Sequence, residues 1–93
     1  MTDILYEVSN HAREQMEKRG IDDQTVQSIL IRPDQIIDDE SGGYGQKVYQ
    51  SKIDFKEKGT YLVRVFVNTE KQPCVVKTVY KTSKLPKYYE GEI

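Results

Sequence analysis

Three stretches rich in β-branched and aromatic residues follow one another in the second half of the chain: Gln46–Phe55, Thr60–Asn68 and Cys74–Thr82. Only Lys56–Gly59 and Thr69–Pro73 separate them. Connections this short join strands that run in opposite directions, because a parallel crossover needs about a dozen residues or more. The chain is thereby committed to an antiparallel meander. Alternation places Tyr49, Ile53 and Phe55 on one face of the first strand and Val48, Gln50 and Lys52 on the other. The middle strand, TYLVRVFVN, is the densest in strand-forming residues and is expected at the centre of the sheet. In the last strand, a two-residue period puts Val76 and Tyr80 on one face and Lys77 and Lys81 on the other.

Ahead of the meander the pattern turns helical. In SNHAREQMEKRGI, Ser9 and Asn10 can each offer a side-chain oxygen to the free N–H groups of a first turn, and Gly20 can adopt the left-handed conformation that ends a helix. The spacing predicts a helix over Asn10–Arg19, with Ala12, Met16 and the following Ile21 toward one side and His11, Gln15 and Arg19 in a neighbouring polar stripe. Asp22 can cap a second helix, with Asp23 in its first turn and Val26, Ile29 and Leu30 as its apolar face, until Arg32 and Pro33 end it. Short strands are expected at Ile4–Val8 and Gln35–Asp39, a glycine-rich loop at Glu40–Gly45, and a helical turn or frayed tail over Leu85–Ile93. Helices followed by strands predict an α+β layer fold, in which two N-terminal helices pack on one face of an antiparallel sheet of three to five strands.

A chain of 93 residues is expected to form one domain over residues 1–93, burying roughly two thirds of its unfolded surface. No run approaches the roughly 20 apolar residues a membrane helix needs, and MTDILYEVSN does not have the form of a secretory signal, so a cytoplasmic location and no membrane partner are expected. The lone Cys74 leaves no internal disulfide and no cysteine-cluster zinc site, and its apolar neighbours mark it as a small buried hydrophobe. Charge is divided unevenly. Residues 1–45 hold four basic and ten acidic groups, whereas residues 46–93 hold ten basic and five acidic. The second half could show a basic surface to a polyanion, or its lysines could simply keep a sheet soluble.

His11 is the one side chain whose ordinary pKa lies near neutrality, and its place in a first helical turn favours the neutral imidazole, so it is a candidate for proton transfer. The alternative is a surface histidine that bonds only locally. A second histidine is lacking, and Asp38, Asp39 and Glu40 read as a solvated loop, so neither a metal nor any other cofactor is expected. Arg64 shares a strand face with Leu62 and Phe66, and a guanidinium so placed must either grip a phosphate or pair with a buried carboxylate. Lys77, Tyr80, Lys84 and Tyr88 supply the charge and rings with which proteins hold single-stranded nucleic acid. Metal-free RNA cleavage needs a base, cations on the phosphate and a proton donor; His11 or a tyrosine, with Arg64 and Lys81, could fill those roles if they converge.

The succession YEVSNHAREQMEKRGID, ILIRPDQIIDD, KVYQSKIDF, YLVRVFVN and VVKTVYKTSK resembles the bacterial domain of unknown function 4258 over nearly the whole chain. The layout is similar to that of the RelE/ParE-like toxin superfamily, a RelE- and barnase-like arrangement of helices before an antiparallel sheet. The resemblance implies a toxin that cuts messenger RNA or poisons gyrase and is held by an antitoxin. KRGIDDQTVQSI also resembles a segment of BrnT-type toxins, with Arg19 where their histidine stands. The family pattern covers His11, Arg19 and the VYKTSK residues, and no RelE catalytic set maps onto this chain residue by residue. Two functions follow: a toxin-like, metal-independent endoribonuclease acting through His11, Arg19, Arg64 and Lys81, or a non-catalytic protein-interaction module on the same scaffold, which the pI of about 5.8 favours.

Overall fold

A computed structural model describes residues 5–89 of the chain; Ile4 and residues 90–93 of the expected first strand and tail lie outside the described residues. Helix α1 (Asn10–Arg19) begins where expected, because the Ser9 hydroxyl accepts a hydrogen bond from the Ala12 amide at 3.1 Å. It ends at Gly20, whose φ of 67° lets the chain turn so that the Ile21 amide reaches the Met16 carbonyl at 2.9 Å. Helix α2 (Asp23–Ile31) is capped in the same manner by Asp22, whose carboxylate accepts from the Thr25 amide at 2.8 Å. An ion pair between Arg13 and Asp23 at 2.7 Å links the two helices, but both partners are exposed and such pairs contribute little.

Five strands form one sheet: β1 (Tyr6–Val8), β2 (Gln35–Asp38), β3 (Gln46–Asp54), β4 (Thr60–Asn68) and β5 (Cys74–Thr82), in the spatial order β1-β5-β4-β3-β2. The meander β2-β3-β4-β5 is antiparallel throughout, and β4 is central. The sheet as a whole is mixed, which corrects the antiparallel expectation: β1 runs parallel to β5. The chain leaves β1 through α1 and α2 to the far edge, and three hairpin reversals bring it back in the direction of β1. A third helix, α3 (Leu85–Tyr88), follows the sheet, so the helices are not all N-terminal.

The main core lies between the sheet and the first two helices. Val63, Val65 and Val67 of β4 and Val76 and Val79 of β5 pack there with Ala12, Met16, Ile21, Val26, Ile29 and Leu30, all of them buried. Cys74 is only half-buried at the margin of this cluster, because it pairs with the edge strand rather than a central one. The side chains that alternate with the β4 valines, namely Leu62, Arg64 and Phe66, face the other way.

One departure from alternation matters for the site. Phe66 pairs with Thr78 and Val67 with Val76, so Lys77 is an extra residue in β5, a β-bulge. Val76 and Tyr80 therefore lie on opposite faces, not the same one as a strict period would have it. The bulge is held by α1. The Ser9 amide donates to the Val76 carbonyl (3.0 Å), the Ser9 hydroxyl donates to the Lys77 carbonyl (3.2 Å), and the Gln15 side-chain oxygen accepts from the Val79 amide (3.0 Å). These groups satisfy β5 where the three-residue β1 has already ended.

Two outcomes are expected. Ser9→Ala removes the helix cap and strands the Lys77 carbonyl, a loss of about 1–3 kcal/mol, which thermal denaturation should show as a fall in Tm of at least roughly 4 °C. Hydrogen bonding to Thr25 holds the Asp22 carboxyl below its ordinary value of 3.8. A carboxyl whose folded pKa is depressed lends stability that is complete above its unfolded value and disappears as pH falls through the folded one. Denaturant unfolding of the native chain should thus weaken as pH drops below about 4, and Asp22→Asn, which caps without titrating, should flatten that slope.

Candidate functional site

The far face of the sheet, away from α1 and α2, carries the most unusual side chain in the molecule. Arg64 is only 9% exposed at the middle of the central strand. Its Nε donates to Gln50 Oε1 at 2.9 Å and its NH1 donates to the Tyr80 hydroxyl at 2.7 Å. Both partners are neutral. Among the described residues no carboxylate pairs with it, so the choice between a buried ion pair and a free cation falls to the latter. Aromatic rings surround the guanidinium: its carbon stands 4.6 Å from the Tyr88 ring centre, 5.2 Å from Phe66 and 5.7 Å from Tyr80. Phe66 and Tyr80 are themselves stacked at 5.8 Å, with Tyr88 edge-on to Tyr80 at 6.4 Å. The quadrupoles of these rings partly offset the burial of the charge.

Gln50 is the keystone of this arrangement and is fully buried. While its oxygen holds Arg64, its amide nitrogen donates to Gln35 Oε1 at 2.7 Å and to the Tyr88 carbonyl at 3.1 Å. It thereby ties β2, β3, β4 and α3 together and lays Tyr88 across the face. The hairpin register explains why: Gln50 stands directly opposite Arg64 in the β3-β4 ladder, and Arg64 opposite Tyr80 in β4-β5. The polar residues form one row across three strands.

A groove of about 730 Å³ opens beside this row, with Arg64, Phe66, Tyr88 and Val48 on one side and Asp38–Ser41 on the other. Asp39 was expected in a solvated loop but is 9% exposed, because its carboxylate closes the turn that it begins. It accepts from the Ser41 amide (3.2 Å) and hydroxyl (2.7 Å), and its other oxygen lies 3.8 Å from Lys77 Nζ. A side chain at Gly42 would meet that second oxygen at 2.7 Å, so only glycine fits the approach. Lys77 can reach Asp39 because the bulge turns it toward the far face.

The residues expected to carry chemistry divide accordingly. Tyr80 and Tyr88 join Arg64, Lys77 reaches the opposite wall of the same groove, and Lys84 is exposed where the chain enters α3. His11 and Arg19 are exposed on α1, on the other side of the sheet from Arg64. Lys81 pairs with Val63 and so points to the α1-α2 side, its ammonium 4.3 Å from the Phe55 ring and 5.0 Å from Tyr61. His11, Arg19, Arg64 and Lys81 therefore share no cleft. Gln50 and Phe66 were not singled out from the sequence. The signal for Gln50 was present, since counting back through the Lys56–Gly59 turn pairs this polar residue with Arg64.

Among the described residues no group of acidic, histidine or cysteine side chains is placed to hold a metal, and no helix is long and apolar enough to cross a membrane. The architecture is thus a helix-backed mixed sheet with a caged arginine on its outer face. Residues 8–81 match the domain of unknown function DUF4258, and the chain belongs to that family. No curated protein and no solved structure matches it. The SNHAREQMEKRGI segment, which lies within the matched residues, has a structural account here: Ser9 docks α1, Ala12 and Ile21 are buried, and Gly20 ends the helix.

Replacing Gln50 by Leu should strand the Arg64 Nε and release Tyr88, lowering stability by about 1–3 kcal/mol in denaturant unfolding. Hydrogen exchange should quicken at the Tyr89 amide, which closes α3 on the Leu85 carbonyl at 2.9 Å.

Proposed function

We propose that this chain is a toxin-like domain that engages single-stranded RNA on the far face of its sheet, with Arg64 as the cation that takes a phosphate. One observation carries the reading: a guanidinium nine-tenths buried, paired with no carboxylate among the described residues, and open to a groove beside three aromatic rings. Burying a charge without an opposite partner costs several kcal/mol, and a ligand that brings the missing negative charge recovers part of it. The planar guanidinium suits the oxygens of a phosphate, and the Phe66, Tyr80 and Tyr88 rings suit the faces of neighbouring bases. In this reading Arg64 stabilises charge on the phosphate, the phenols of Tyr80 and Tyr88 are the nearest groups able to pass a proton, and His11 takes no part. A protein antitoxin is the partner that the toxin resemblance implies.

A second reading has an observation of its own. Asp38, Asp39 and Glu40 line the groove beside Arg64, Asp38 and Asp39 paired with Lys47 and Lys77, and this mixture of charges suits a protein partner better than a polyanion. The two are separated with a fluorescent single-stranded oligoribonucleotide, following binding by anisotropy and cleavage on a gel. RNA engagement predicts binding that weakens with salt, falls at least tenfold in Arg64→Met, falls less in Arg64→Lys, and is unchanged in His11→Ala. Absence of binding at low salt, or binding indifferent to both Arg64 variants, leaves the interaction module as the surviving function.

A further inference from the structure

Strand β2 closes one edge of the sheet, and among the described residues nothing pairs with its outer side. The hydrogen bond from the Asp39 amide to the Gln46 carbonyl, 2.9 Å, fixes the alternation of its backbone. Residues 35, 37 and 39 turn their N–H and C=O groups toward β3, and Ile36 and Asp38 turn theirs outward. Ile36 is also one of the few large apolar side chains left exposed among the described residues, at 51%. Edge strands are commonly blunted by charge or proline to prevent indiscriminate pairing. Here the charges flank the apolar centre instead of interrupting it.

Those charges are acidic, and they differ in how far they are compensated. Asp38 is neutralised by Lys47, whose ammonium it holds above the usual lysine range through their hydrogen bond. Asp39 has Lys77. Among the described residues the Asp34 carboxylate accepts from the Lys52 amide alone, at 3.0 Å, and Glu40 forms no ion pair. A carboxylate with no ion pair among the described residues therefore lies just beyond each end of the four-residue β2, Asp34 in the bend before it and Glu40 in the turn after it. A second copy is a poor occupant, because antiparallel pairing of two β2 edges brings the acidic ends of both copies together.

We infer that the β2 edge is a docking site for an extended segment of another protein, added as a sixth strand, with an apolar centre and a basic residue at each end. Backbone bonds to Ile36 and Asp38 supply the register, Ile36 supplies apolar contact, and Asp34 and Glu40 select the flanking cations. The inference does not depend on the RNA reading, and its test contains no RNA.

The probe is a capped synthetic heptapeptide with lysine at both ends and alternating valine and threonine between them, titrated into the full chain at low salt and followed by amide NMR. A matched peptide with glutamate at both ends is the control. The basic peptide should shift residues 34–40 and slow hydrogen exchange at Ile36 and Asp38, with Ile37 little changed because its amide already faces β3. Affinity should fall at least fivefold between 50 and 300 mM salt, and two- to fivefold in Glu40→Gln. Ile36→Pro, which removes an outward N–H and leaves the β2-β3 ladder intact, should reduce it at least tenfold. The proposal is overturned by no shift at millimolar peptide, by equal binding of the glutamate peptide, by shifts confined to other surfaces, or by a free chain that dimerises through residues 34–40. Should Ile36→Pro fail to fold, the exchange pattern of the native chain decides alone.

Discussion

One hydroxyl group holds the two layers of this protein in register. Ser9 Oγ accepts the Ala12 amide to start α1 and donates to the Lys77 carbonyl in the bulge of β5. The same side chain thus begins a helix and fastens it to the sheet 68 residues further along the chain. Each bond is worth only about 1 kcal/mol net, but the groups they satisfy would otherwise be stranded at a margin that β1 is too short to cover. Gln15 adds a further bond to β5 from deeper in the helix. With α1 fixed by polar contacts at its start, Ala12 and Met16 can bury against the β5 and β4 valines without sliding.

The far face is organised by a different balance. Leu62, Val48 and Gln50 are buried there although α1 and α2 are on the other side, and the short α3 is tied to Gln50 through the Tyr88 carbonyl. A charge in such a place is usually matched by a carboxylate. This one is held by an amide oxygen, a phenol and the faces of three rings, which satisfy its geometry, and no carboxylate among the described residues pairs with it. The arginine is fixed in position yet still electrically open, as a recognition group requires.

Much of this was legible in the residues. The caps at Ser9, Gly20 and Asp22, the bounds of both long helices and the three meander strands follow from local chemistry that the tertiary structure reinforces. The placement of Arg64 with Leu62 and Phe66 also follows from alternation. What escaped were features set by distant parts of the chain. The parallel pairing of β1 with β5 depends on where α1 and α2 deliver the chain. Lys77 looked like one more alternating lysine because a bulge has no glycine or proline here to announce it. Asp39 looked like loop charge because its partners, Ser41 and Lys77, matter only once the turn has folded. Whether His11 and Lys81 meet Arg64 could not be read from spacing, because a sheet has two sides and the bulge decides which side each part of β5 shows.

That extra residue makes β5 a strand with a change of phase. Before it, the odd-looking pairing of Cys74 and Val76 serves the core; after it, Val79 resumes that duty while Tyr80 is delivered to the aromatic cage. Losing a single residue there would do more harm than most substitutions. It would invert one half of the strand relative to the other, so that either the valines face water or the tyrosine enters the core. Length, more than composition, is the property of this strand on which inheritance of the fold rests.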